Sequence, residues 1–244
     1  MNAAPRTPCV WAIVTAMIVG TLCLAGAPER PNLVLVLADD LGWGDVACFG
    51  HPWIPTPNLD RLAAEGRRFQ QFYVNSPVCS PARCAILTGQ YPQRWRITSY
   101  LASRAENLAR GMADWLDPNA PSLARMLRSA GYVCGHFGKW HLGGQRDVAD
   151  APRIAEYGFD ESLTNFEGLG ARLLGLCPAW DGRPPRRHAL GSDRLGHGPV
   201  IWYDRSSLTA GYVGAALAFI ERAVAEGRPF LVHVWPDDPH GPWY

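Results

Sequence analysis

Apolar runs without alternation mark the strands of this chain. Asn32-Leu33-Val34-Leu35-Val36-Leu37-Ala38 carries no polar side chain after Asn32, which predicts a parallel strand covered on both faces. Tyr132-Val133-Cys134-Gly135-His136-Phe137 and Pro229-Phe230-Leu231-Val232-His233-Val234-Trp235 predict two more strands, and Phe72-Tyr73-Val74 a short one. Helical spacing alternates with them. Leu59, Leu62 and Ala63 predict the buried stripe of a helix between Thr56 and Gly66, capped by Thr56 or Asn58, with Pro57 in its first turn. Leu123, Met126, Leu127 and Ala130 share a face between Ser122 and Gly131. Val213, Ala216, Leu217 and Ile220 do so in a long helix from Tyr212 to Ala225, closed by Gly227. Strands alternating with helices indicate an α/β domain. Two stretches lack a period. Tyr91 to Asn119, rich in arginine and aromatics, reads as a solvated surface segment, with a cleft lining as the alternative. Asn165 to Asp204 reads as a long surface excursion, and no partner suggests itself for His188 or His197 in it.

Composition narrows the class only slightly. The chain has 244 residues, 48% hydrophobic, and net charge +1, enough for one domain with a real core and without a basic run for nucleic acid. The N-terminus differs from the rest. Arg6 precedes an apolar run of about sixteen residues, Val10 to Ala25, short for a membrane span, and small residues follow at Ala25-Gly26-Ala27. This predicts a signal peptide over residues 1–27 and a secreted or periplasmic mature chain over 28–244, with no stable membrane insertion after cleavage. Cleavage after Ala25 and an uncleaved anchor are the alternatives. Export permits disulfides. Cys48, Cys79, Cys84, Cys134 and Cys177 remain, an odd number; with Cys79 set aside, four could pair or stay as core thiols.

The chemistry-bearing residues follow the predicted strands. The first strand ends at Asp39-Asp40. Adjacent carboxylates repel unless a cation lies between them, although a turn that favours aspartate is the plainer reading of the pair alone. The second runs into Gly138-Lys139-Trp140-His141-Leu142-Gly143 and the third into Pro236-Asp237-Asp238-Pro239-His240-Gly241-Pro242. Parallel strands place all three ends on one edge of the sheet, where α/β folds bind ligands. Cys79-Ser80-Pro81-Ala82-Arg83 reads as a loop turning into a helix that caps this edge. Pro81 suits the first turn, and Arg83, four residues after Cys79, returns to its face. Such a helix start offers free N–H groups to an anion. Lys139 is the only lysine among 23 Lys+Arg, which suggests either a compact ammonium that arginine cannot mimic or chance in an arginine-rich chain.

Cys79 to Gly89 matches the sulfatase signature C-x-P-x-R-x-x-x-L-T-G at every fixed position. Asp39 to Asp45 resembles the N-terminal metal motif of that family, Gly138 to Gly143 its G-K-W-H-L-G, Gly158-Phe159-Asp160 its G-F-D, and Pro239 to Pro242 its P-H-x-P. The resemblance spans Pro31 to Tyr244. It implies an alkaline-phosphatase-like sandwich, a mostly parallel central sheet flanked by helices, and a sulfuric ester hydrolase acting on a sulfated small molecule or sulfated glycan. It also implies that a formylglycine-generating enzyme converts Cys79 to formylglycine. Asp39, Asp40 and the residue at 79 would hold Ca²⁺, or alternatively Mg²⁺. The hydrated aldehyde would attack sulfur and later expel sulfate, with Arg83 and Lys139 neutralising charge. His141 would accept its proton and His240 would contact the sulfate or leaving oxygen. His136 and His233 read as structural, and Asp237 and Asp238 do not match the positions of the family's ligands.

One departure from the family matters. Sulfatases supply a further Asp and Asn to the metal, commonly with a second lysine, from a strand well after P-H-x-P, and this sequence stops at Tyr244. The expectation is the N-terminal part of a catalytic domain, truncated at its C-terminus, with an open apolar sheet edge, weak metal binding and little turnover alone. An inactive secreted fragment or sulfated-glycan binding module is one competing reading. A phosphoester or phosphonate hydrolase of the same superfamily is the other, although it would usually carry Ser or Thr at the place of Cys79.

Overall fold

The sheet is built around two buried neighbouring strands, β2 (Val133–Gly138) and β7 (Phe230–Trp235). The computed structural model describes residues 30–179 and 181–241, so the expected signal segment lies outside the described residues. β1 (Leu33–Val36) pairs in parallel with β7 (Phe230–Trp235), and β7 pairs in parallel with β2 (Val133–Gly138). β3 (Glu161–Thr164), β4 (Arg172–Cys177) and β5 (Arg186–His188) complete the order β1-β7-β2-β3-β4-β5, and β6 (Val200–Asp204) pairs with β4. Among these pairings β4–β5 is antiparallel and the others are parallel.

Alternate residues of β2 and β7 point to opposite faces and make two cores. On one face Val133, Phe137, Phe230 and Val232 meet Tyr212, Ala216 and Phe219 of α5 (Leu208–Ala225). On the other, Cys134 and Leu231 join Cys84 and Leu87 of α2 (Cys79–Thr88), Ala124 of α4 (Leu123–Ser129) and Trp140. The remaining α-helices among the described residues are α1 (Pro57–Glu65) and α3 (Arg104–Ala109). By length and composition the segment Arg205–Ala225 could cross a membrane, but its buried stripe is occupied by the sheet.

Several expectations are corrected. β1 is not covered on both faces: Val34 and Val36 are 54% and 64% exposed, because it is an edge strand with one face uncovered among the described residues. The stripe of α5 is Tyr212-Ala216-Phe219-Ala223, and Val213 and Leu217 turn outward. Leu59 and Leu62 of α1 are exposed and, with Phe69 and Phe72, wall an open apolar hollow. Phe72-Tyr73-Val74 forms no strand, and all three side chains are exposed. On α4 Leu123 and Leu127 pack on the core while Met126 points to solvent. The stretch 91–119 is not a surface segment, for Ile97, Leu101 and Leu116 are wholly buried. Nor is 165–204, which contains β4, β5 and β6. There Arg172 is buried because its guanidinium donates to the carbonyls of Ser192 and Gly196. All five cysteines among the described residues are free thiols.

His136 and His233 are register partners in β2 and β7, with Nδ1 atoms 3.5 Å apart. Trp140, Phe159 and Trp235 enclose them. Burial holds both rings below the ordinary 6.5, His233 at about 3. Both stay neutral in the folded chain, while in the unfolded chain each protonates below about 6.5. The unfolded state therefore binds more protons as pH falls. Stability should drop from pH 6.5 toward 3 by about 1.4 kcal/mol per pH unit for each ring. Urea midpoints at pH 7 and pH 5 measure this, and His233→Phe should remove the share of that slope due to its own ring, about 1.4 kcal/mol per pH unit.

Candidate active site

β1, β7 and β2 end side by side, and a glycine sets how closely they do so. Gly138 has φ 119°, and a Cβ there would stand 2.0 Å from the carbonyl oxygen of Trp235. Only glycine lets β2 leave the sheet against β7, so that the Lys139 N–H donates to that same carbonyl at 2.7 Å. Lys139 Nζ then donates to Asp39 Oδ2 at 2.6 Å. The other oxygen, Asp39 Oδ1, lies 3.1 Å from Arg83 Nη2. Arg83 Nη1 donates to the Lys139 carbonyl at 2.8 Å, and its guanidinium lies 5.2 Å from the centre of the Trp235 ring. All three side chains are buried. Burial alone would raise the carboxyl of Asp39, but Arg83 and Lys139 outweigh it and hold the group below its ordinary value. Burial likewise works against the ammonium of Lys139, and Glu167 and Asp39 more than restore it.

Cys79 opens α2. Val78 at the N-cap offers no side-chain bond to the first turn, which leaves its N–H groups unclaimed by a cap. Ser80 Oγ accepts from the Leu101 N–H at 3.0 Å and ties this helix start to the buried part of the 91–119 segment. Cys79 is half-buried at the junction of two pockets. One, of about 440 Å³, is shared with Asp39, Asp40 and Arg83. The other, of about 450 Å³, is shared with Lys139, His141, Glu167 and His240. Burial pushes the Cys79 thiol up, so little thiolate exists at neutral pH.

The remaining residues differ in how firmly they are held. His141, at φ 50°, holds Nε2 in a hydrogen bond to the Leu101 carbonyl, 2.8 Å away, while Nδ1 lies 3.1 Å from Glu167 Oε2 with neither of those two atoms hydrogen-bonded. Glu167 Oε2 also lies 3.7 Å from Lys139 Nζ. Its carboxyl is fully enclosed, and burial pushes it up to about 7. Sequence reasoning missed Glu167, which sits in a glycine-rich stretch outside every recognised motif. The available clue was topological: β3 runs parallel to β2, so the residues after Thr164 emerge at the same edge. Asp40 and His240 are the open side, with Asp40 Oδ2 and His240 Nε2 3.7 Å apart. Asp238 turns away to Arg205 Nη1 at 3.0 Å and to Thr209 Oγ1, and Asp237 lies 3.9 Å from Arg205. Arg205 Nη2 also donates to the His240 carbonyl at 3.3 Å, which fixes the loop carrying that ring.

Residues 31–244 match the Sulfatase family model. The chain belongs to the sulfatase family. N-acetylgalactosamine-6-sulfatase of Canis lupus familiaris is 34% identical over 244 residues, covering 96% of this chain and 44% of that protein. Arylsulfatase G of Homo sapiens is 35% identical over 230 residues, covering 87% and 42%. The solved structure of Ps i-CgsB in complex with k-i-k-neocarrahexaose aligns with TM-score 0.66 at 27% identity, covering 88% of this chain and 46% of that one. Such neighbours share the alkaline-phosphatase-like fold, a mostly parallel sheet flanked by helices. This sulfatase chain spans less than half the length of the curated relatives it matches.

Asp39, Asp40 and position 79 line one pocket, and carboxylate oxygens there suit a hard cation such as Ca²⁺ or Mg²⁺. Among the described residues, however, no group of three or more His, Cys, Asp or Glu is gathered to hold a metal, and Asp39 is already shared by two cations. The donor set fits the chemistry of such an ion and falls short of its usual coordination of about six to eight oxygens. The ion pairs themselves are testable. Lys139→Met leaves Asp39 with Arg83 alone and strips Glu167 of its nearest cation. Breaking a buried pair in this way costs about 3–5 kcal/mol. The expected result is a lowered urea midpoint, and an unchanged one would show that these charges do not hold the strand ends.

Proposed function

We propose that this chain is the nucleophile-bearing part, residues 28–244, of an exported sulfatase domain that hydrolyses sulfate esters, with residue 79 present as formylglycine and a divalent cation held by Asp39, Asp40 and residue 79. The observation that carries this reading is the position of Cys79. It opens a helix, it faces the carboxylates of the β1 end on one side, and it faces Lys139, His141 and His240 on the other. Formylglycine would supply an oxygen nucleophile in place of a poorly ionised thiol, and the cation, Ca²⁺ by family resemblance, Lewis acidity toward the sulfate oxygens. The residues of the chain do the rest. Lys139 and Arg83 supply fixed positive charge behind position 79, oriented before substrate arrives by Asp39 and Glu167. The first turn of α2 adds N–H dipoles that favour an anion. His240, across the pocket on the loop clamped by Arg205, would contact the sulfate or give a proton to the departing oxygen. His141 lines the same pocket as a proton acceptor. A sulfated glycan is the favoured substrate class, since the relatives include a protein named N-acetylgalactosamine-6-sulfatase and a neighbour solved in complex with k-i-k-neocarrahexaose.

Co-expression with a formylglycine-generating enzyme should convert Cys79, seen by mass spectrometry as loss of sulfur and gain of an aldehyde. The converted protein, supplied with Ca²⁺, should release sulfate from an aryl sulfate in preference to phosphate from an aryl phosphate. Recovery of Cys79 only as a thiol, or a preference for phosphate, would overturn the reading. Lys139→Arg should lower turnover at least about tenfold, which corresponds to ~1.4 kcal/mol of misplaced charge, because the wider guanidinium cannot occupy the slot between Asp39 and Glu167.

A further inference from the structure

The pocket of about 450 Å³ that Cys79 shares with Lys139 and His141 reaches beyond the residues used so far, to Tyr100, Arg146, Phe166, His188 and Leu190. Its volume falls in the range of about 300–1,000 Å³ usual for small-molecule sites, more room than a sulfate group alone fills. Arg146 differs from the other permanent cation on its wall. Lys139 is committed to Asp39 and Glu167. The Arg146 side chain is half-buried and makes no hydrogen bond or ion pair among the described residues. Its charge reaches His141, and it reaches Glu106, an exposed carboxylate already hydrogen-bonded to Ser103. The segment that carries Arg146 is fixed. Gln145 is buried, and its Nε2 donates to the carbonyls of Ala102 and Asp114, each at 3.1 Å. The backbone of Gln145 bridges to Glu167, and its carbonyl accepts from the Val148 N–H at 2.8 Å. Gly191 packs so closely that a Cβ there would stand 3.0 Å from the Arg146 carbonyl oxygen. Backbone strain marks the same place. Among the described residues six that are not glycine have positive φ, and four of them, Asp40, His141, Arg146 and Leu190, line this pocket. Side chains disfavour that conformation, and such strain collects at functional sites. Asp40 and His141 belong to the proposed chemistry, which leaves Arg146 as a charged, aimed and unused group.

We propose that Arg146 forms a second anion subsite in this pocket, taking a sulfate or carboxylate of the same glycan whose scissile sulfate lies at residue 79, so that the chain prefers glycans with two neighbouring anionic groups to glycans with one. The place of the scissile sulfate rests on the sulfatase reading; the uncommitted guanidinium on the pocket wall does not. A guanidinium with free N–H groups binds either oxyanion through paired charge-assisted hydrogen bonds, and partial burial strengthens them. The remaining walls suit the sugar that links the two anions. Tyr100 lines the pocket, as do Phe166 and His188, whose rings meet edge to face with centres 5.2 Å apart. Burial and Arg205 hold the His188 ring below its ordinary value, so it adds aromatic surface and no charge that would compete for the anion. The substrate class narrows accordingly. It is a glycan with a second sulfate or a carboxylate on the sugar that bears the scissile ester or on the sugar next to it.

Titration calorimetry on the full chain, with Cys79 unconverted so that no ester is cleaved and with Ca²⁺ in the buffer, tests this with three probes. They are N-acetylgalactosamine 6-sulfate, N-acetylgalactosamine 4,6-disulfate, and N-acetylgalactosamine 6-sulfate linked to a glucuronate. The second adds a sulfate to the first, and the third adds a carboxylate. At least one of the two-anion probes should bind about tenfold tighter than the single sulfate, as one added charge-assisted pair implies, and the probe that gains identifies the anion. Arg146→Met should remove most of that gain. Arg146→Lys, which keeps a point charge and loses the planar fork, should retain part of it. Equal binding of the three probes to the wild type, or no binding, overturns the proposal, and this comparison needs no variant to fold. So does a gain that survives in Arg146→Met, or a variant that weakens all three probes alike, which would mark Arg146 as structural. Turnover of an aryl sulfate by the converted protein judges the proposed function separately. Discrimination among the probes without turnover counts against that function alone, and turnover without discrimination counts against the subsite alone.

Discussion

The salt link from Asp39 to Arg83 and Lys139 is what the rest of the site depends on. Charges removed from water are costly unless each finds an opposite neighbour. Here they alternate: Arg83, Asp39, Lys139 and Glu167 run positive, negative, positive, negative, with distances of 3.1, 2.6 and 3.7 Å between successive partners. The four come from the end of β1, the first turns of α2, the end of β2 and the connection after β3. One electrostatic series thus holds four separate chain segments at one sheet edge, and Cys79 inherits its place from the same helix that delivers Arg83. The carbonyl of Lys139, bound by Arg83, closes the arrangement through the backbone.

The series also gives the lone lysine a physical role. A slot between two buried carboxylates is filled by a compact ammonium donating 2.6 Å to one of them, with the backbone of the same residue fixed against Trp235. A planar guanidinium needs more width and more acceptors in one plane. Arg83, by contrast, uses a flat geometry, with one nitrogen on a carboxylate, another on a carbonyl, and its plane near an indole. The two cations are not interchangeable parts of one positive patch.

What was legible in the sequence was whatever depended on local order. The three strand ends, the glycine at 138 and the helix start at Cys79 all follow from runs and spacings within a few residues, and the structure places them together. What depended on distant partners was not legible. Ile97, Leu101 and Leu116 lie among arginines and look solvated until the buried carbonyl of Leu101 is seen holding His141. Glu167 carries no local pattern, and its burial is set by β3 and by residues far away in the chain. The apolar stripe of α1 was read correctly as apolar and wrongly as buried, because periodicity reports a face and not what covers it.

The enclosure of the site is strongly one-sided, and this bears on how its chemistry divides. Lys139, Arg83, His141 and Glu167 are all buried, so the side that supplies positive charge is shielded from water, although Arg83 Nε, His141 Nδ1 and Glu167 Oε2 have no hydrogen-bond partner. Asp40 and His240 stand in the open, 3.7 Å apart, and the uncovered face of β1 and the apolar hollow of α1 belong to the same N-terminal segments that carry Asp39 and Asp40. Electrostatic preorganisation requires fixed dipoles shielded from water. The lysine side meets that requirement from these residues alone. The carboxylate side, where a cation would sit, meets it only through Asp39, whose two oxygens are already held by Arg83 and Lys139. Charge placement behind residue 79 is therefore set by the core of this chain, whereas the proposed cation binding in front of it would depend on what shields Asp40.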